Sequence, residues 1–243
     1  MTKLFVPYVM GNKQFIKNVK LLDKCGANIV EIGVPFSDPV ADGPIIMEAG
    51  NKAIEEGVTI DYIFKALTTH QHELQCQYVL MTYYNIIVSY GEKAFFKECE
   101  NAGVYGVIIP DLPYELAEKL IVKIANINVK LISLVAMTTS DERTNEIINH
   151  AEGFIYTVTM NATTGENGTF HPDLKEKLKR IKKKANVPVV AGFGIRTVDH
   201  VKDIANIADG VVIGSEIVRC FNEEDTDKTE QFIRDIRATL DEF

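Results

Sequence analysis

A closed (β/α)8 barrel is the fold class that this 243-residue sequence predicts. Three observations point to it. Short β-branched apolar runs alternate eight times with longer amphipathic segments. No compositional shift and no Pro/Gly/Ser-rich linker divides the chain. The length matches the roughly 250 residues that one such barrel commonly takes. Parallel strands need a crossover between them, so eight strand–helix units mean a parallel sheet. An open, doubly wound sheet is the alternative. The even spacing favours closure, with residues 1–243 forming a single domain.

The expected strands are Leu4–Val9, Ile29–Gly33, Gln77–Thr82, Gly106–Ile109, Lys130–Ala136, Gly153–Thr159, Val187–Ala191 and Gly210–Ile213. Each is apolar on both faces, as strands between outer helices and a filled lumen must be. Helical stripes lie between them: Phe15, Val19 and Leu22; Phe95, Cys99 and Ala102; Leu174, Leu178, Ile181 and Ala185; Val201, Ile204 and Ala208. Asp61 is placed to cap a helix over Tyr62–His70 and Ser140 one over Asp141–Ala151, while Gly26 and Gly103 stand just past helix ends. The longest excursion, 34–60, is expected to hold an extra helix near Ile45–Glu56. A last helix runs from about Lys228 to Leu240.

Composition narrows the function. A formal charge of −8 argues against a nucleic-acid partner, which needs a basic face, but is compatible with a small anionic ligand held by backbone amides. The four cysteines show no paired spacing and no secretory leader is evident, so reduced thiols in a cytoplasmic protein are expected. No apolar run reaches the length of a membrane span. The five histidines are dispersed without metal-ligand spacing, so no metal site is inferred. The basic run 179–184 reads as a solvated helix end complementing the helix dipole.

Residues 30–44, VEIGVPFSDPVADGP, carry the most information. Val30, Ile32 and Val34 point one way and Glu31 the other. In an edge strand Glu31 would simply face water. In a barrel it enters the lumen near the carboxyl end of its strand, where active sites of this fold lie. Desolvation there raises its pKa and lets it give and take protons. Asp42 approaches the same cavity from the following loop. Asp38, in Ser-Asp-Pro, is explained by turn chemistry.

A second constellation is the set of glycines after strands six, seven and eight: Thr164-Gly165, Gly192-Phe193-Gly194 and Gly214-Ser215. Any one alone is a cap or a tight turn. Together on one rim they signal phosphate, with Ser215 opening a short helix whose positive end faces the anion. Gly192-Phe193-Gly194 lacks the third glycine of a dinucleotide fingerprint, Thr197 standing there instead. Tyr83, Tyr84 and Tyr156 near strand ends fit core aromatics as well as pocket walls.

With these motifs, and with FVPY (5–8), PDLPYE (110–115), GFGI (192–195) and IGSEIV (213–218), the chain resembles the tryptophan synthase alpha subunit family over nearly its whole length. The resemblance implies a lyase that cleaves indole-3-glycerol phosphate to indole and glyceraldehyde 3-phosphate without a cofactor. It also implies a pyridoxal-phosphate beta subunit as partner in an alpha2beta2 heterotetramer, within tryptophan biosynthesis. By the same resemblance Glu31 is the main acid/base and Asp42 the carboxylate at the indole N–H. Thr164 is a mobile-loop threonine that meets Asp42 on closure. Gly165, Phe193, Gly194, Gly214 and Ser215 form the phosphate cradle. Tyr156 faces the substrate, and Tyr8, Met81, Tyr83, Ile108 and Pro110 border the indole. Two departures stand out: Tyr8-Val9-Met10-Gly11-Asn12 lacks the threonine, aspartate and proline usual there, and Asn161-Ala162-Thr163-Thr164-Gly165 replaces the common Gly-Val-Thr-Gly. A sugar-phosphate isomerase or epimerase would share the glycines but not the Glu31–Asp42 pair. A non-catalytic subunit that stimulates its partner is the reading from another class.

Overall fold

In the computed structural model, which describes residues 2–159, 173–192, 194–223 and 225–243, eight parallel strands pair in sequence order and close on themselves. They are β1 (Leu4–Met10), β2 (Ile29–Gly33), β3 (Gln77–Met81), β4 (Gly106–Ile108), β5 (Lys130–Ala136), β6 (Ile155–Val158), β7 (Val189–Gly192) and β8 (Gly210–Ile213). Closure is made where Leu4 pairs with Gly210 and Pro7 with Ile213. The expected barrel is therefore the fold.

Alternation along each strand builds two cores. Val30, Ile32 and Val34 join the outer layer under the helices, whereas Ile29, Val6, Val79, Ile108, Ile132 and Val212 fill the lumen. Each fully buried aliphatic side chain contributes about 1.5–3 kcal/mol relative to exposure. The lumen filling forms an apolar floor beneath the strands' carboxyl ends. Ile29 belongs to that floor, so Glu31, two residues on, faces the lumen one layer higher.

The helices in chain order are α1 (Phe15–Lys24), α2 (Pro44–Glu55), α3 (Ile60–His70), α4 (Tyr84–Tyr90), α5 (Glu92–Asn101), α6 (Tyr114–Ile124), α7 (Asp141–His150), α8 (Leu174–Lys184), α9 (Val198–Ala205), α10 (Ser215–Asn222) and α11 (Thr226–Asp241). The stripes at Phe15, Val19 and Leu22, and at Val201 and Ile204, are buried as their spacing requires. Ser140 caps α7, accepting from the Arg143 N–H, and Gly26 and Gly103 take the left-handed conformation past α1 and α5.

The Asp61 cap is a correction. Thr59 is the cap of α3, its hydroxyl accepting from the Tyr62 N–H at 3.3 Å, and Asp61 sits inside the first turn, where its charge favours the helix dipole. Two strands begin later than expected for backbone reasons. Gly153 is left-handed at φ 67°, which delays β6 to Ile155, and Pro188 has no N–H to give the ladder, which delays β7 to Val189.

Candidate active site

Glu31 is the third residue of β2, level with Tyr8 on β1 and Val79 on β3. Only 1 % of it is exposed, and among the described residues its Oε2 has no hydrogen-bond partner. Burial first, and then the nearby charge of Asp42, push its carboxyl up to about 8. At pH 7 the group is therefore mostly a neutral acid, able to donate a proton and then to accept one.

Asp42 ends the loop before α2, which starts with Pro44 in its first turn. Its Oδ2 accepts a hydrogen bond from the Tyr83 hydroxyl at 3.1 Å, and the Tyr83 oxygen accepts from the Ala41 N–H at 3.1 Å. Tyr83 stacks on Phe36 at 4.9 Å between ring centroids, so one phenol pins the loop by both its face and its hydroxyl. Burial raises the Asp42 pKa and the Tyr83 hydrogen bond opposes it. Asp38 is exposed and accepts from the neighbouring Ser37 hydroxyl at 2.6 Å, in keeping with turn chemistry.

Two tyrosines of the lumen rim lean over glycines on the next strand. A Cβ on Gly33 would lie 1.8 Å from the Tyr8 oxygen, and one on Gly192 would lie 2.6 Å from that of Tyr156. Both phenols are buried, and burial raises both pKa values well above the usual tyrosine range, which keeps them neutral.

The cavity above the lumen floor has two chambers that share Glu31, Ala41, Met81 and Tyr156. One holds Gly194, Gly214 and Ser215, together with Asp42 and Tyr8. Gly214 precedes α10 and Ser215 opens it, so the helix's positive end borders this chamber. The other is bordered near Glu31 by Met81, Ile108, Pro110 and Leu134, and runs on outward past β5 between α6 and α7, with Ala117, Ile121 and Ile147 along it; the whole space is about 920 Å³ and mainly apolar. Glu31 stands at their junction.

The comparisons with known proteins agree along the whole chain. A family model described as tryptophan synthase alpha chain matches residues 1–243. The chain belongs to that family. A tryptophan synthase alpha chain of Staphylococcus haemolyticus (strain JCSC1435) is 68% identical over 241 residues, covering 99% of both chains. Among solved structures, the tryptophan synthase subunit alpha of Campylobacter jejuni is 34% identical with a TM-score of 0.83, covering 97% of this chain and 96% of that one. The Mycobacterium tuberculosis tryptophan synthase is 28% identical with a TM-score of 0.90, covering 99% and 93%.

Of the residues expected from the sequence, Glu31, Asp42, Tyr8, Tyr156, Gly194, Gly214 and Ser215 border one chamber of this alpha-chain barrel, and Tyr83 reaches it through Asp42. Thr164, Gly165 and Phe193 lie outside the described residues. Among the described residues, no group of three His, Cys, Asp or Glu side chains could hold a metal ion. Sequence reasoning missed three things. The Tyr83–Asp42 bond joins residues 41 apart. Ile46 of α2 and Ile195 also border the glycine chamber. Arg196 does so too, and its only signal was its place two residues after Gly194.

Proposed function

We propose that this chain is a tryptophan synthase alpha subunit whose Glu31 and Asp42 cleave indole-3-glycerol phosphate to indole and D-glyceraldehyde 3-phosphate in tryptophan biosynthesis. The observation that carries the proposal is the place of Glu31, a buried acid between an apolar chamber and a glycine-lined one. The substrate has the matching form: a flat apolar ring, a phosphate, and between them the bond that breaks.

The chemistry follows from proton positions. Cleaving the bond between indole C3 and the first glycerol carbon is easy only when the ring nitrogen can accept the electron pair. Protonated Glu31 gives its proton to C3 while the Asp42 carboxylate takes the one on N1, forming the indolenine. The Glu31 carboxylate then removes the proton of the adjacent glycerol hydroxyl. The C–O bond becomes a carbonyl, the C–C bond breaks, and its electron pair restores the aromatic ring as Asp42 returns the proton to N1. Both carboxyl groups end in their starting states. All transfers are by side chains, so the step calls for no cofactor in this chain; pyridoxal phosphate belongs to the beta subunit's reaction. The amides around Gly165, Phe193, Gly194, Gly214 and Ser215 hold the phosphate. Thr164 is assigned a part in shielding Asp42 from water.

The partner is a beta subunit in an alpha2beta2 complex, seated on the rim beside the loop after β2. That loop leaves Val40 70% exposed and α2 leaves Met47 and Ile54 partly exposed, an apolar edge suited to being covered. Among the described residues no helix is long and apolar enough to cross a membrane, and the four cysteines are free and buried, in keeping with a cytoplasmic setting. The test is a spectrophotometric assay of indole released from indole-3-glycerol phosphate, with and without a cognate beta subunit. Indole release that rises with the beta subunit supports the proposal. No release under either condition, from folded protein, refutes it.

A further inference from the structure

Arg196 is the only Lys or Arg among the described residues bordering either chamber. It lies just past β7, two residues beyond Gly194, whose φ of 82° turns the chain at the rim. Its backbone N–H donates to His200 Nδ1 at 3.3 Å, and Thr197 caps α9 through the His200 N–H, so the base of this loop is tied down. Its side chain is exposed. The other five arginines are each held by a carboxylate: Arg143 by Glu115 and Glu146, Arg180 by Asp141, Arg219 by Glu216 and Glu223, Arg234 by Glu230 and Arg237 by Asp241. Among the described residues Arg196 forms no such ion pair, although the chain carries 34 acidic residues against 26 basic ones. An arginine left without a carboxylate at the rim of a chamber that already holds Glu31 and Asp42 is suited to an anion brought by the ligand.

We propose that Arg196 is a phosphate-binding residue, its guanidinium closing over the phosphate group cradled by the amides of Gly194, Gly214 and Ser215. The inference rests on the lyase reading above and adds to it a cationic contact to the substrate. Amides and a helix end hold a phosphate by partial charges. A guanidinium adds a full charge and two parallel N–H donors that match two phosphate oxygens. It also offsets the repulsion that Asp42 exerts on a dianion in the same chamber. Arg196 thereby sets selectivity for phosphorylated over unphosphorylated glycerol chains.

The test compares wild type with Arg196→Ala and Arg196→Lys. Calorimetry measures affinity for glycerol 3-phosphate, inorganic phosphate and indole, and steady-state kinetics with indole-3-glycerol phosphate separate KM from kcat. In the alanine variant, affinity for both phosphate compounds is expected to fall about 10-fold, with KM rising by a similar factor, because one charge-assisted bidentate contact is lost. Indole affinity is expected to stay at the wild-type value, and the lysine variant to recover part of the loss. Unchanged phosphate affinity in the alanine variant would overturn the proposal. So would an equal loss of indole affinity, which would mark a general collapse of the cavity. If wild type failed to cleave the substrate while glycerol 3-phosphate affinity still depended on Arg196, the lyase reading would fall and the phosphate assignment would stand.

Discussion

Replacing Glu31 by glutamine is expected to abolish cleavage and, at the same time, to stabilise the fold increasingly as pH rises. The native carboxyl titrates at about 8 against a usual 4.5, and each unit of difference is about 1.4 kcal/mol. Between those limits the native state holds a proton that the unfolded chain has released. The unfolded state then binds fewer protons, so wild-type stability falls as pH rises. The full penalty is about 5 kcal/mol, of which about 1 kcal/mol is present at pH 5 and about 4 kcal/mol at pH 8. Glutamine does not titrate, and any cost of its buried amide is the same at both pH values. The stability difference between variant and wild type should therefore grow by on the order of 3 kcal/mol from pH 5 to pH 8. Other titrating groups are common to both proteins and cancel. The chain has no tryptophan, so urea unfolding is best followed by far-ultraviolet circular dichroism. A difference that stays flat from pH 5 to pH 8 would mean that Glu31 is already ionised and solvated, and the acid-first mechanism would be wrong.

Other substitutions probe the parts around it. Tyr83→Phe keeps the stacking on Phe36 but removes the hydrogen bonds to Asp42 and Ala41; kcat for cleavage should fall about 10- to 100-fold, the equivalent of a hydrogen bond to a charged group. Because that bond holds the Asp42 pKa down, the acidic limb of the pH–rate profile should move to higher pH, and an unmoved limb would contradict the arrangement. Gly33→Ala drives a methyl group into Tyr8, so thermal unfolding should show a loss of about 1–3 kcal/mol together with weaker indole binding. Wild-type stability in that variant would mean that Tyr8 does not lean over Gly33. Thr59→Ala should cost about 1 kcal/mol in urea unfolding without altering KM, since it removes only the cap of α3.

How much was legible in the sequence depended on whether the signal was local. The inward turn of Glu31 could be read from Val30, Ile32 and Val34 because strand parity is fixed by the backbone. Barrel closure was inferred from regular repetition, although the pairing of Leu4 with Gly210 leaves no mark on either residue. The α3 cap was misread because Thr59 and Asp61 both suit a helix start, one as cap and the other as first-turn charge. The start of α4 was missed for a different reason: the Asp111 carboxylate, 27 residues away, accepts from the Tyr84 N–H at 2.9 Å. The Tyr83–Asp42 bond was hidden in the same way. Arg196 was passed over because an exposed arginine after a glycine turn looks like any surface arginine until the chambers are seen.

The most direct test of the central claim is the rate of indole release from indole-3-glycerol phosphate by wild type and by Glu31→Gln, each with saturating beta subunit. Calorimetry should first establish that both bind glycerol 3-phosphate equally. The account predicts matched binding with indole release lost in the variant, since an amide can neither protonate C3 nor take the hydroxyl proton. Release at the wild-type rate by a glutamine variant that binds normally would contradict it.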